Sequence, residues 1–251
     1  MNPAEFDNIA RSEEHFWWYR GMREVMFRLL DPLLRHDAAR FRRVLEAGCG
    51  TGHFAKVLQE RYGFPVTAVD LGWQGLDYGR RMGLDRLVQS DIAALPFPDG
   101  SFDFVCSMDV IVHFPLGQEG RAMAELSRVL KPGGLLAIRV SALDLLRSKH
   151  SEFAHERQRF TRGRLIRLAV DHGIEILRCT YANALLLPIA LTKFRVIEPL
   201  FQRQARSGVE PVSPWLDSVL FQPLQFESRW LGAGLNFPLG QSLILLGHKR
   251  D

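Results

Sequence analysis

The segment RVLEAGCGTGHF, residues 43–54, constrains the fold of this chain more than any other stretch. A short apolar run is followed by Glu46, and glycine then occupies every second position: Gly48, Gly50 and Gly52. Glycines between a strand and a helix permit positive φ angles and let a ligand approach the backbone closely. The dinucleotide motif GxGxxG needs its third glycine where this chain has His53, so the turn favours a different nucleotide-like ligand.

Short β-like runs alternate with amphipathic segments around this turn, which is the pattern of βαβ units and a parallel sheet. The seven predicted strands lie within 43–48, 65–70, 84–91, 102–110, 135–142, 174–183 and 242–249. Helices are predicted over 53–62, 119–130 and 161–173, the last with Thr161 as N-cap and Gly173 just past its end. The run KPGG, 131–134, predicts a stop after the second helix, and Asp99 and Asp103 are predicted turn residues.

Acidic side chains stand at the ends of two predicted strands. Asp70 ends the second strand, where a carboxylate can accept both hydroxyls of a ribose, and Asp91 ends the third, where it can meet an adenine amino group. Ligands of open α/β sheets bind outside the carboxyl ends of the strands. Five residues are therefore predicted to converge on one crevice: Glu46, Gly48, Asp70, Asp91 and Met108.

Four segments, in their order and spacing, resemble the class I S-adenosylmethionine-dependent methyltransferases: VLEAGCGTGHF, VTAVDLG, LVQSDIAALPFPDGSFDFVCSMDVIVHF and ELSRVLKPGGLLAIRV. The resemblance covers about residues 41–142, and the final FPLGQSLILLGHK is similar to the closing strand of that fold. It implies a Rossmann-like α/β sheet of seven strands in the order 3-2-1-4-5-7-6, flanked by helices, and S-adenosyl-L-methionine as cofactor. The implied cofactor-binding residues are Glu46, Ala47, Gly48, Cys49, Gly50, Gly52, Asp70, Leu71, Asp91, Ile92 and Met108.

Methyl transfer requires the alignment of two reactants and, for an oxygen or protonated amine acceptor, a base. His113 follows the fourth strand, where the acceptor should approach, and histidine can take a proton near neutral pH. Similar enzymes often have Glu-His at this place, whereas Val112 precedes the histidine here, so a loop-orienting role for His113 stays open. Tyr19 is a second candidate, for acceptor contact or for closing the cofactor site; His15 and Tyr181 are further candidates for acceptor contact.

The chain divides into four predicted parts. Residues 1–40 are a helical lead-in and lid, 41–183 the cofactor-binding α/β core, 184–240 a helical insertion between strands six and seven, and 241–251 the last core strand. The insertion is rich in Leu, Phe and Trp, which favours an apolar or aromatic acceptor beneath a lid. A dimer interface or a membrane-contact surface could have the same content of Leu, Phe and Trp. The chain could therefore be a monomer or a homodimer, and peripheral contact with a membrane also stays open.

Composition narrows the class of protein further. The 251 residues are 47% hydrophobic and 24% charged, which is typical of a globular domain, and no apolar run is long enough to span a bilayer. Three widely spaced cysteines predict free buried thiols and no metal site. A cytoplasmic location is predicted because the first residues lack the basic-then-hydrophobic order of a secretory signal. A PP-aromatic motif after strand four, which would indicate DNA amino methylation, is missing, so no nucleic-acid partner is expected.

The function predicted from these observations is S-adenosylmethionine-dependent methyl transfer to a small molecule that is apolar, aromatic, lipid-like or sugar-bearing. Two alternatives remain at this point. One is a non-catalytic module that binds the same cofactor for regulation or assembly, and the other is a nicotinamide-dependent oxidoreductase.

Overall fold

A computed structural model describes residues 3–35, 40–201, 207–208 and 212–250. Its centre is a seven-stranded sheet in the order β3-β2-β1-β4-β5-β7-β6, as predicted. The strands are β1 Val44–Ala47, β2 Val66–Asp70, β3 Leu87–Gln89, β4 Phe102–Met108, β5 Leu130–Ser141, β6 Ile174–Ala182 and β7 Ser242–Lys249. Only β7 runs antiparallel to its neighbours, so the first six strands all end at one edge of the sheet.

Helices cover both faces of the sheet and fill the two regions predicted to be helical additions. Their bounds are α1 Pro3–Ser12, α2 Trp17–Arg35, α3 His53–Tyr62, α4 Trp73–Arg81, α5 Glu119–Val129, α6 Lys149–Phe153, α7 Arg162–Asp171, α8 Leu187–Thr192, α9 Glu198–Phe201 and α10 Pro214–Gly232. Short tighter turns lie at Ile111–His113 and Asp144–Leu146, and a wider turn, Lys193–Ile197, joins α8 to α9.

Local sequence signals explain where several helices start and stop. Helix α3 lies between Gly52 and Gly63, both with positive φ, and covers the predicted range 53–62. The Thr161 hydroxyl accepts a hydrogen bond from the Arg164 N–H, which is the predicted N-cap of α7, and Gly173 has a φ of 77° just past its end.

Two features between β4 and β5 differ from the prediction. KPGG does not separate helix from strand: α5 ends at Val129, and β5 starts at Leu130 and includes all four residues. The turn assignment of Asp103 is wrong, because it lies inside β4 and its Oδ2 accepts the N–H groups of Arg42 and Arg43. A buried carboxylate that bonds two backbone N–H groups holds the start of β1 against β4, a long-range role with no local signal.

The core has two hydrophobic clusters, one on each face of the sheet. Helices α2, α3 and α10 pack on one face, and α5 and α7 pack on the other. Helices α2 and α10 touch closely, because a Cβ on Gly21 would lie 2.6 Å from the Leu224 Cβ. Within the described ranges, no helix combines the length and the apolarity that a bilayer crossing demands.

Candidate functional site

The glycine turn after β1 is held by the neighbouring strands. The N–H groups of Gly48 and Cys49 both donate to the Val69 carbonyl, at 2.7 and 2.8 Å, and the Ser107 hydroxyl donates to the Ala47 carbonyl at 2.8 Å. The Gly50 N–H donates to the Asp70 carboxylate. Because these N–H groups are already bonded, the turn offers a ligand mainly hydrogen-bond acceptors.

The three glycines of the turn serve different purposes. A Cβ on Gly48 would lie 2.6 Å from Val110 Cγ1, and one on Gly52 would lie 2.8 Å from Leu84 Cδ1, so both positions are closed by protein packing. A Cβ on Gly50 would meet nothing within 4 Å, although its φ of 57° also favours glycine. Gly50 is therefore the position in the turn where a ligand can approach from the Cβ side.

Asp70 lies at the carboxyl end of β2 and bridges the turn to the start of α4. Its Oδ2 accepts from the Gly50 N–H at 2.8 Å, and its Oδ1 accepts from the Gly72 N–H at 2.7 Å. Burial raises the pKa of Asp70, against the opposing effect of these two hydrogen bonds. Each carboxylate oxygen keeps a second lone pair, so Asp70 can still accept hydroxyls from a ribose.

Glu46 is a deeply buried acid at this edge, and the Ala55 N–H only partly offsets the cost of burying it. Glu46 is only 2% exposed, and its Oε2 has no hydrogen-bond partner within the described residues. Burial, together with the nearby acids Glu13 and Asp70, raises the pKa of Glu46 well above its ordinary value. An unpartnered buried carboxylate oxygen is costly, so the position fits a donor supplied by a ligand.

The other predicted cofactor residues lie at the same edge with different exposure. Asp91 is exposed two residues beyond β3, and its Oδ1 accepts from the Ala93 N–H. Leu71 is 67% exposed, whereas Ile92 and Cys49 are buried. Met108 ends β4 and packs against the cluster that contains α2.

Helix α1, in the lead-in that the sequence predicts to be a helical lid, contacts α4 at this edge. The buried ring of Phe6 lies against the glycines that start α4, since a Cβ on Gly72 or Gly75 would come within 2.6 Å of it. The Tyr78 hydroxyl donates to Asp7 at 2.6 Å, which ties α1 to α4 at a second point.

Glu13, between α1 and α2, reaches into the glycine turn. The Thr51 hydroxyl donates to Glu13 Oε2 at 2.5 Å, and Arg23 donates to the Glu13 carbonyl at 3.0 Å. Burial raises the pKa of Glu13 to about 7, although the Thr51 hydrogen bond and the Arg23 charge oppose the shift. This carboxyl therefore changes its charge near neutral pH while it is bonded to the turn.

A charged pair lies beside the ends of β4 and β5. Arg139 donates through Nε to Asp109 Oδ2 at 2.9 Å, and the Trp18 ring covers the guanidinium at 5.1 Å. Tyr19 lies close enough to this pair and to the acids Glu5 and Glu13 to feel their charges. Burial, reinforced by these acids, raises the pKa of Tyr19 far above its ordinary range, so its hydroxyl stays protonated.

His113 lies in the short turn after β4, next to buried Val112. Its Nδ1 is 3.1 Å from the His155 carbonyl, a geometry in which Nδ1–H donates and Nε2 keeps its lone pair. Burial lowers the pKa of His113 and the hydrogen bond opposes this, so the ring is neutral near pH 7. The other two candidates are placed differently: His15 is exposed beside Glu14, and the Tyr181 hydroxyl accepts from the Arg162 N–H.

The segment that contains this site is similar to a known family of proteins. Residues 45–138, from β1 into β5, match a family model described as a methyltransferase domain. This segment is similar to methyltransferase domains. The match spans the glycine turn, Asp70, Asp91 and His113, and confirms the family that the sequence motifs indicated.

Two named proteins are similar to this chain over more than half of its length. The chain is 38% identical over 152 residues to a malonyl-[acyl-carrier protein] O-methyltransferase of Enterobacter lignolyticus (strain SCF1), which covers 58% of each chain. It is 32% identical over 146 residues to a ubiquinone biosynthesis O-methyltransferase of Xanthomonas oryzae pv. oryzae (strain PXO99A), which covers 54% of this chain and 60% of the relative. The chain thus matches less than two thirds of the length of these relatives.

Solved structures share the fold over a larger part of the chain. One is the geranyl diphosphate C-methyltransferase from Streptomyces coelicolor A3(2), in complex with Mg2+, geranyl diphosphate and S-adenosyl-L-homocysteine. It is 16% identical, with a TM-score of 0.55 over 84% of this chain and 73% of that one. At this identity the likeness concerns the fold alone.

The methyltransferase domain of this chain has the features that its cofactor class requires. An unpartnered oxygen on Glu46, an open approach at Gly50 and spare lone pairs on Asp70 form an acidic, acceptor-rich cradle. Such a cradle suits a ligand that carries a sulfonium, an ammonium and a ribose. Among the described residues, no three His, Cys, Asp or Glu side chains are grouped so that they could hold a metal ion.

Four residues around the domain were missed at the sequence level: Phe6, Glu13, Asp109 and Arg139. For Arg139 a signal existed, because it is a charged residue inside the otherwise apolar run LLAIRVSA. Glu13 stands in an acidic pair with Glu14, which resembles an exposed helix end, and nothing local marks Phe6. The positions of Phe6 and Glu13 depend on how α1 packs over the edge of the sheet.

Proposed function

We propose that this chain is an S-adenosyl-L-methionine-dependent methyltransferase that acts on an apolar small-molecule acceptor. The observation that carries the proposal is the cradle of Glu46, Gly50 and Asp70 inside a methyltransferase domain. Glu46 and the turn carbonyls would take the methionine end, Asp70 the ribose, and Leu71, Asp91 and Ile92 the adenine. The cofactor, when bound, supplies an electrophilic methyl group on a sulfonium.

His113 is the proposed general base. In the proposed transfer, the acceptor atom would take the methyl group that the cofactor supplies, and an oxygen or ammonium acceptor would lose a proton. The proton lost by an oxygen or ammonium acceptor goes to Nε2 of His113, while Nδ1–H stays bonded to the His155 carbonyl. A neutral imidazole near pH 7, which follows from the lowered pKa of His113, supports this role.

Tyr19 is proposed as a hydrogen-bond donor at the acceptor end. Its raised pKa rules out a phenolate base near neutral pH, but a protonated hydroxyl can orient an acceptor oxygen. The ion pair of Arg139 and Asp109 would hold the neighbouring surface of the site in place. Both curated relatives are named O-methyltransferases, which favours an oxygen acceptor.

The helical additions are proposed to enclose the site. Phe6 on the glycines of α4 and Glu13 on Thr51 support the lead-in, 1–40, as a lid over the cofactor, with 41–183 and 241–251 as the core. The insertion, 184–240, lies beyond β6 and would cover the acceptor. The three cysteines are free and buried, which supports a reducing, cytoplasmic location.

Methyl transfer from radiolabelled S-adenosylmethionine to a panel of apolar hydroxylated compounds tests this function. The expected result is label in at least one product, lost in Asp70→Ala. Cofactor binding without transfer to any compound would favour the non-catalytic alternative, a cofactor-binding regulatory module.

A further inference from the structure

Helix α10 has apolar side chains on two faces, and only one of them is covered. Leu224 and Leu231 are fully buried in the core shared with α2. The outer stripe, defined as Trp215, Val219, Phe226 and Trp230, is exposed to 73%, 45%, 52% and 39%. The spacing of these residues, four, seven and four, places them along one line of the helix. The rings of Phe226 and Trp230 stack at 5.9 Å.

The rest of the insertion exposes apolar side chains in the same way. Ile189 on α8 and Leu200 on α9 are 58% and 69% exposed, and Val196 and Ile197 between them are each about half exposed. Most of the large apolar side chains that are exposed in the described part of the chain lie between residues 184 and 240. This concentration exceeds the scattered exposure that is normal on a protein surface.

The acids among the described residues of the insertion are paired or buried. Asp217 forms an ion pair with Arg20 of α2. Glu198 is buried and accepts from the Lys149 N–H at 3.0 Å, and Glu227 is fully buried and accepts from the Leu185 N–H at 2.7 Å. No other acid occurs among the described residues of the insertion.

The cations in the described part of the insertion are exposed. Lys193, Arg195 and Arg229 are all exposed, and they are the only cations among its described residues. The described part of the insertion therefore exposes aliphatic and tryptophan side chains together with cations, and its described acids are paired or buried. Basic helices with exposed Trp, Phe and Leu are typical of binding at the interface of anionic lipid bilayers.

We propose that the insertion docks on an anionic membrane surface, with the outer stripe in the headgroup region and its exposed cations against lipid phosphates. A second copy of the chain fits this surface less well. A symmetric dimer would oppose the same patch on both subunits, so like charges would meet without acids of the insertion to pair with them. Lipid docking is separate from the proposed methyl transfer, because it requires neither cofactor nor acceptor.

Vesicle flotation of the full chain tests this proposal. Phosphatidylglycerol-containing vesicles are compared with pure phosphatidylcholine vesicles, at low and at high salt. Two variants address the two components: Trp215→Ser with Phe226→Ser and Trp230→Ser, and Lys193→Glu with Arg195→Glu and Arg229→Glu. The matched control is Leu116→Ser with Leu145→Ser, since both leucines are exposed outside the insertion.

We expect the protein to bind anionic vesicles at least about tenfold more tightly than neutral vesicles. Each cation near an anionic surface should raise the affinity roughly fivefold. Both insertion variants should lose this binding and the control should keep it. The charge variant changes only exposed side chains, so it remains informative if the apolar variant does not fold. Equal binding to neutral vesicles, no binding, or a wild-type dimer that the apolar variant abolishes would overturn the proposal.

Discussion

The Asp70 carboxylate accepts a hydrogen bond from the Gly50 N–H at 2.8 Å, which joins the end of β2 to the turn after β1. The same carboxylate also accepts the Gly72 N–H. Asp70 therefore shapes the cradle before any ligand enters, and it can contact that ligand as well. Folding and cofactor binding are linked at this one side chain.

Asp70→Ala should lower both cofactor affinity and the free energy of unfolding. Loss of charge-assisted hydrogen bonds should weaken S-adenosylhomocysteine binding by about 1.5 to 3 kcal/mol. Loss of the hydrogen bonds from the Gly50 and Gly72 N–H groups should reduce the free energy of unfolding by about 1 to 3 kcal/mol. Calorimetry and urea unfolding measure the two effects, with Asp77→Ala on the outer side of α4 as the control. Unchanged stability would mean that the Gly50 and Gly72 contacts are not made.

The glycines of the turn should respond differently to alanine. Gly48→Ala should destabilise the fold, because its Cβ would overlap Val110 and its φ of 80° disfavours a side chain. Val110→Ala should restore only part of the loss, because it removes the two Cγ atoms but neither the Val110 Cβ at 3.0 Å nor the positive φ. Gly50→Ala meets no protein atom, so it should cost only the strain of its positive φ, about 1 kcal/mol, while cofactor binding falls. Thermal unfolding and calorimetry of the three variants distinguish the roles. Normal cofactor affinity in Gly50→Ala would show that the ligand does not approach there.

Glu13 should make stability depend on pH. Its folded pKa of about 7 lies above the ordinary value of 4.5, so the folded state binds more protons between these values. Stability should therefore fall as the pH rises from about 5 to about 8, by up to roughly 3 kcal/mol from this group. Glu13→Gln should flatten that part of the urea unfolding profile, whereas Glu14→Gln, at the exposed neighbour, should not. The Glu46 contribution has the same sign, and Glu13→Gln should reduce it as well, because the Glu13 charge is one cause of the raised pKa of Glu46. A profile with the same slope in Glu13→Gln would contradict the assignment.

His113→Ala should lower kcat without changing cofactor affinity. Removal of a general base typically costs about 10²- to 10⁴-fold in rate. Initial rates with the acceptor found by screening, together with calorimetry, separate the two effects, and His15→Ala provides an exposed control. Equal rates in His113→Ala and the wild type would leave His113 with only the loop-orienting role.

Particular residues show how far the sequence predicts this molecule. Most strands, helix α3 and the acids at the strand ends are encoded locally, by glycines, apolar runs and their spacing. The strand order was implied instead by the resemblance to a known family. The Val110 packing that explains Gly48 and the inward position of Glu13 depend on contacts distant in sequence. Asp103 shows the same limit, since a turn-forming residue type became a buried anchor between strands. Long-range burial, rather than local propensity, decides these cases.

Titration calorimetry with S-adenosylhomocysteine tests the central claim most directly. The account predicts one site per chain with a Kd in the micromolar range, weakened by Gly50→Ala and by Asp70→Ala. A folded wild-type protein that releases or takes up no heat with this ligand at any temperature tested would contradict the cofactor site and, with it, the proposed activity.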